Sequence, residues 1–384
     1  MKTALFIINF GGPQHAGEVE SFLYELFRDN DVIPLPGGSW VQEFFATRVS
    51  RRRAPKTIAQ YELIGGGSPL VPMTYRQAEA VHAAVTAAGH DVSLHIGMRY
   101  TAPTIETALE EIRSLGAERI VCLALYPHFS FATTGSSYNE VARALKKLQM
   151  DRLPVSFIPA WHDDPAYLEA MADLVKGALE RVPEGIEPHL LFTAHGLPVS
   201  FIKRGDPYQA QVQQTVRDVV KVIGYTGSHS LAYQSRVGPE RWLSPSTDAE
   251  LERLAQEGHK AVVVVPVSFV GDHIETLFEL DIEYREVAEH AGIEHYVRAP
   301  ALDVHPRFID CLAGQVTKAL GEARTRACVR CLLPKDDAYH ALRSCPDCRF
   351  KKPAYLGVQA QCPPAEPTPP APAPDAAERV TEEA

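Results

Sequence analysis

The chain has 384 residues, 45% of them hydrophobic and 22% charged, with a formal net charge of -10 at pH 7. That length suits two domains of ordinary size, each able to bury its own core, and the composition is that of a soluble globular protein. The acidic balance excludes an overall basic nucleic-acid binder while leaving room for a local basic patch.

The N-terminus, MKTALFIINFGGP, has the outline of a secretory signal, but its apolar stretch is short and ends in a Gly-Gly-Pro turn. No small-residue cleavage site follows, so the segment is read as a buried first strand over 4–9. Next, Trp40, Val41, Phe44 and Phe45 set large apolar groups on one helical face, followed by Arg51, Arg52, Arg53 and Lys56. This is either core packing beside a solvated basic turn, or a hydrophobic lip with a basic collar suited to a greasy ligand or a membrane surface. Gly65-Gly66-Gly67-Ser68-Pro69 lacks the spacing of a phosphate-binding loop and follows no convincing strand, so a nucleotide role is set aside. Three glycines allow close backbone approach to a flat ligand, or simply a tight loop.

From there short apolar runs alternate with amphipathic stretches. The pattern predicts strands over 93–97, 120–126, 155–159, 189–193, 231–234, 261–269 and 296–299. It predicts helices over 75–88, 104–115, 137–148, 165–180, 206–223, 248–257 and 305–320. Such alternation gives an α/β fold with parallel sheets flanked by helices, here as two doubly wound lobes divided near 159–165. The longest apolar run, 261–270, contains Pro266 and falls far short of the roughly 20 residues that span a membrane. A cytoplasmic location is expected, with the seven cysteines reduced unless they hold a metal. The last stretch, PPAEPTPPAPAPDAAERVTEEA, is expected to be disordered.

In open parallel sheets, ligands bind beyond the carboxyl ends of the strands. Just past the predicted strands stand Phe10-Gly11-Gly12-Pro13, Met98-Arg99-Tyr100, Thr133-Thr134-Gly135-Ser136-Ser137, His195-Gly196-Leu197-Pro198, Ser235-Arg236-Val237-Gly238-Pro239 and Asp272-His273-Ile274-Glu275. Together they describe an active site between lobes, although each turn alone is weak evidence. His195 by itself is most simply a loop histidine bonded to backbone, yet an imidazole at a strand end can also take a proton or bind a metal. Glu275, Glu279 and Glu283 recur at every fourth residue as a carboxylate stripe. Taken alone they are a solvated acidic face, with Asp272 and Glu275 as a capping box. Their mutual repulsion and their place after the most hydrophobic strand suggest instead a guide for a divalent cation.

Assembled in order, the segments NFGGP, YELIGGGSPL, GMRYTAPTIETALEEI, TTGSSYNE, LFTAHGLP, GDPYQAQV, YQSRVGPERWLSPST and DHIETLFELDIEY resemble the ferrochelatase family over about residues 4–320. The resemblance implies a chelatase fold of two Rossmann-like lobes with a porphyrin cleft between them, and an unwound or π-type turn in the helix bearing the carboxylates. The implied division is 1–158 and 159–303 for the lobes, 304–322 for a closing helix, 323–362 for a cysteine-rich segment and 363–384 for the tail. The implied activity is insertion of Fe2+ into protoporphyrin IX, the terminal step of haem biosynthesis. Coproporphyrin III as substrate and a non-catalytic porphyrin or haem carrier are the competing readings. By the same resemblance His195 and Glu275 are catalytic and handle the iron, Asp272 and His273 form an inner polar pair, and Glu279 and Glu283 line an acidic path. Phe10, Ser68, Arg99, Tyr100, Trp242 and Phe269 match porphyrin-contacting positions. A lip over 40–45 would serve peripheral attachment at the inner membrane surface.

Cys328-x2-Cys331 and Cys345-x2-Cys348 form two pairs separated by thirteen residues, a pattern for a four-thiolate site holding zinc or an iron–sulfur cluster. Some ferrochelatases carry a carboxy-terminal [2Fe-2S] cluster, and Cys345-Pro346-Asp347-Cys348 resembles part of that motif. The animal pattern uses a cysteine inside the fold where this chain has Phe131, so any cluster here is ligated differently. Cys122 and Cys311 are expected to be plain core residues.

Overall fold

The computed structural model describes residues 2–150 and 152–321. The cysteine site expected at Cys328, Cys331, Cys345 and Cys348 lies outside the described residues. Cys122 and Cys311 are buried free thiols, as expected.

All eight predicted strands form, in two parallel sheets. β1 (Thr3–Asn9), β2 (Val92–Met98), β3 (Arg119–Ala124) and β4 (Val155–Ile158) run in the order β2-β1-β3-β4. β5 (His189–His195), β6 (His229–Gln234), β7 (Ala261–Pro266) and β8 (His295–Arg298) repeat that order as β6-β5-β7-β8. TALFIIN and AVVVVP are apolar without alternation because helices cover both faces of each sheet, and every residue of β1 and β7 is buried.

The helices are α1 (Val19–Arg28), α2 (Ser39–Glu62), α3 (Leu70–Ala87), α4 (Ile105–Ser114), α5 (Ser136–Lys147), α6 (Pro165–Leu179), α7 (Val199–Lys203), α8 (Tyr208–Ile223), α9 (Thr247–Gln256), α10 (Tyr284–Ala291) and α11 (Pro306–Gly321). Seven match predicted helices. The sequence pattern gave no helix for α1 and only a helical face for α2, whose mostly polar surface and internal Pro55 obscure its period. Local chemistry sets the ends where it is strong: Asp164 accepts the Ala166 amide at 3.0 Å and Pro165 takes the first turn of α6.

The two sheets do not bury separate cores, as the length alone had suggested. One face of the first sheet packs with α4 and α5, and one face of the second with α9 and α10. The two remaining faces merge, so that Leu5 and Ile7 of β1 share one apolar cluster with Leu190 and Phe192 of β5. The merger follows from chain routing: α6 leaves the first sheet to lie on α8, and α11 returns to pack on α3, α6 and β4. Across this seam Gln77 of α3 donates to the carbonyls of Val270 and Asp303, each at 3.0 Å. Beside it Gly271 lies so close to α3 that a Cβ there would sit 2.2 Å from the Met73 sulfur.

The glycine run is a tight loop. Gly65 and Gly66 take φ of 104° and 92°, and a Cβ on Gly67 would sit 2.1 Å from the Gln14 carbonyl oxygen. No helix among the described residues is long and apolar enough to cross a membrane.

Candidate active site

β5 carries His195 at its carboxyl end, and Nδ1 of the ring lies 2.6 Å from the Gly196 carbonyl. A carbonyl can only accept, so Nδ1 holds the proton and Nε2 is left as the basic nitrogen. Nε2 stands 3.5 Å from Oε1 of Glu275, whose other oxygen is bonded by Nε2 of His273. The ring of Phe269 meets that of His273 edge to face at 4.5 Å. Because β7 stops at Pro266 rather than running on to residue 269, Ser268 and Phe269 are released from the strand and reach this cluster.

Glu275–Glu283 is a π-helix, a wide turn that occurs mostly at functional sites. Three bonds hold its start. His273 donates its amide to the Thr276 hydroxyl at 3.0 Å, and that hydroxyl donates to Asp272, also at 3.0 Å. Buried Gln234, steadied by the Thr193 hydroxyl at 3.0 Å, donates to the Glu275 carbonyl at 2.9 Å. Arg298 grips Asp281 through two bonds of 2.8 Å and Asp272 through one of 3.0 Å, fastening both ends of the turn to β8. The Asp272–Glu275 capping box does not form, since the Asp272 carboxylate is taken by Thr276 and Arg298.

Electrostatics separate the carboxylates. Burial works against ionising Glu275, but the adjoining His273 charge and hydrogen bond, with a smaller pull from His195 when that imidazole is protonated, hold it down to about 2. Burial likewise opposes protonation of His273, and the Glu275 carboxylate outweighs it, so His273 is raised. Glu279 accepts from the Gln234 amide at 2.9 Å, the Ser235 amide at 2.8 Å, the Ser235 hydroxyl, and Tyr284 at 3.1 Å. Glu283 is pushed up by burial and then by the like charge of Glu279, with Lys56 pulling the other way.

The first lobe supplies a second group. Arg99 donates to Asp29 at 2.6 Å and to Ser136 at 2.8 Å, and lies over the Tyr100 ring at 4.7 Å. Tyr100 also donates to Asp29, at 2.7 Å, while its ring packs on Phe10 at 4.6 Å. Asp29 was not singled out from the sequence, and nothing in its local pattern marks it. Ser68 is buried beneath Gly12, where a Cβ would sit 2.6 Å from the hydroxyl. Trp242 lies against Gly196, where a Cβ would fall 3.1 Å from the indole ring.

Thus the structure brings His195, His273, Glu275 and Phe269 into contact, with Trp242 behind His195. It places Phe10, Arg99 and Tyr100 in a separate network, and Ile274, next in the chain to Glu275, packs against the same apolar cluster that holds Tyr61 and Tyr100. Tyr61 is the residue missed on that side: burial and then the Glu275 charge push its phenol up, so it stays a neutral donor near the carboxylate. It lies inside YELIGGGSPL, where the glycines drew attention away from it.

The His273–Glu275 pair has a defined pH signature. Glu275 contributes stability above the ordinary carboxyl value of 4.5 and loses it as pH falls toward about 2, whereas the His273 contribution is complete below 6.5 and is lost as pH rises through its elevated value. The stability difference between the native chain and His273→Gln should therefore peak between pH 4.5 and 6.5 and shrink at higher pH. Denaturant unfolding across that range measures it, and a difference independent of pH would dismiss the pair.

The sequence profile of the ferrochelatase family matches residues 2–320. The curated ferrochelatase of Synechocystis sp. is 44% identical over 327 residues, covering 84% of this chain and 83% of its own. That of Synechococcus elongatus is 42% identical over 336 residues, covering 87% of each. Among solved structures, SirB from Bacillus subtilis with Fe3+ is 13% identical, with a TM-score of 0.49, covering 84% of this chain and 96% of that one. With its profile spanning nearly all of the described fold and relatives alike at that level, the chain belongs to the ferrochelatase family.

Proposed function

We propose that this ferrochelatase takes protoporphyrin IX between its lobes, 1–158 and 159–303, and that His195 and Glu275 divide the chemistry. Fe2+ replaces two pyrrole N–H protons, so each turnover needs an acceptor for protons and a negatively charged guide for the ion. The observation that carries the division is the commitment of His195 Nδ1 to the Gly196 carbonyl, which leaves Nε2 as the acceptor beside Glu275. Glu275, kept ionised by His273, is the group that steers iron. His273 and Asp272 support it, the latter through Thr276 and Arg298. Along the acidic file, Glu283 takes the approaching ion, and Glu279, already accepting four hydrogen bonds, maintains the turn. Phe10, Ser68, Arg99, Tyr100, Trp242 and Phe269 shape the cleft for the macrocycle.

Two further assignments go with this reading. Trp40 and Phe44 are 74% and 64% exposed and stack at 6.4 Å, and Phe44 lines a groove with Leu35, Pro36, Val41 and Phe45, beside Arg48. Exposed aromatics next to basic side chains suit peripheral attachment to an anionic membrane from the cytoplasmic side. Cys328, Cys331, Cys345 and Cys348 supply four thiolates, a donor set that fits [2Fe-2S] and equally fits zinc.

Iron insertion by the purified chain tests the core of the proposal. Glu275→Gln should abolish turnover while porphyrin binding persists, and retained turnover would remove Glu275 from its role. Binding without turnover in the native chain would make it a carrier, and in competition a clear preference for coproporphyrin III would replace the substrate. For the lip, Trp40→Ser with Phe44→Ser should weaken sedimentation with anionic phospholipid vesicles by about tenfold or more, since two aromatics that would enter the membrane are lost; unchanged sedimentation would discard it. For the tail, the full chain isolated without air should be coloured and contain acid-labile sulfide; a colourless protein containing zinc would replace the cluster.

A further inference from the structure

We propose that Tyr208 and Ser268 are positioning residues that hold His195 at the end of its strand, with Asp206 anchoring Tyr208 to the first lobe. The proposal rests on the reading of His195 as proton acceptor.

The need for such a device follows from the sheet. On the β7 side the ladder of β5 ends at Thr193, which pairs with Pro266 and accepts the Val267 amide at 2.9 Å. In a strand, every second residue points its peptide groups to the same neighbour. His195, two residues on, therefore turns its N–H and C=O toward a strand that is no longer there. On the β6 side order persists, since the Gly196 amide still reaches the Gln234 carbonyl at 2.8 Å.

Two hydroxyls complete the missing ladder. The His195 amide donates to Ser268 Oγ at 3.0 Å, and its carbonyl accepts from Tyr208 Oη at 2.9 Å. Each bond runs in the direction its groups allow: the His195 N–H donates to the Ser268 hydroxyl, and the Tyr208 O–H donates to the His195 carbonyl. Both peptide groups of the residue bearing the imidazole are thereby fixed, and χ1 starts from a rigid backbone.

Tyr208 is itself held from the other lobe. One oxygen of Asp206 accepts the Tyr208 amide at 3.0 Å, and the other accepts the Ser130 hydroxyl at 2.9 Å and the Phe131 amide at 2.7 Å. Farther along α8, Gln211 accepts the Phe129 amide at 2.7 Å, and Thr215 bonds His128 at 3.0 Å. The helix is stitched along its length to residues 128–131, which lead into the turn carrying Ser136 and hence to Arg99. The side chain that fixes His195 is therefore referenced to the first lobe as well as to its own sheet.

Steady-state iron insertion by the full chain tests this. Tyr208→Phe and Ser268→Ala each remove one hydroxyl, and each should lower kcat by about threefold to tenfold, the value of one hydrogen bond. Porphyrin KM, porphyrin binding by fluorescence and the thermal midpoint should stay near native, and Ser268→Thr, which keeps the hydroxyl, should restore kcat. Native kcat in both variants would overturn the proposal. So would a fall in kcat accompanied by a proportionate rise in KM and a lowered midpoint, the mark of general structural damage. His195→Ala separates the two readings: native turnover there ends the catalytic assignment of His195, whereas lost turnover with intact Tyr208→Phe and Ser268→Ala ends only the positioning role.

Discussion

A carboxylate that must stay ionised while partly withdrawn from water sets the terms for this site. Desolvation alone works against the charged form of Glu275. The His273 charge answers that cost, but only while two adjacent turns hold imidazole and carboxylate together. Much of what surrounds them serves this: Thr276 and Arg298 fix Asp272, Gln234 holds the Glu275 carbonyl, and Phe269 lies against the imidazole. The π-helix belongs to the same solution. Its wide turn displaces backbone carbonyls from their α-helical partners, and Gln234 satisfies one of them from the neighbouring strand.

The sequence displayed the scaffold clearly because both sheets are buried on two faces. Uninterrupted runs such as AVVVVP have few other uses in a globular chain, and parallel order follows from the helices between them. The motif order then brought His195 and Glu275 out of two bland explanations, a loop histidine and a capping box. Both have a trace in the structure: His195 does bond backbone, and that bond is what assigns its tautomer. The capping box is absent because Thr276 and Arg298, the latter 26 residues along the chain from Asp272, take the carboxylate that would have formed it.

What the sequence hid was every partner supplied from a distance. Asp29, Tyr61, Gln234 and Arg298 each lie on a different element from the group they govern, and none shows a local pattern that periodicity or spacing could detect. The expectation of two separate cores failed for a related reason. Periodicity reports which face of an element is apolar, but not which apolar face it meets, and here α6 and α11 carry the chain across the boundary.

The repeated strand order gives a way to see how the work is divided. β1, β2, β3 and β4 correspond in order to β5, β6, β7 and β8, and in each lobe a π-type turn follows the third strand, at Phe131–Gly135 and Glu275–Glu283. In the first lobe the turn leads to Ser136, whose hydroxyl serves the Arg99–Tyr100–Asp29 network, a closed set of donors and acceptors with no unpaired charge. In the second it presents Glu275 with one flank open to His195. One arrangement spends its polar groups on internal rigidity and the other keeps a charge available. On the function proposed above, the rigid network and the charged cluster would together hold a flat macrocycle still while its nitrogens exchange protons for a cation. The coupling of the two then matters as much as either one, and the seam of Gln77, Asp206 and Gln211, each bonded across the lobes, provides it.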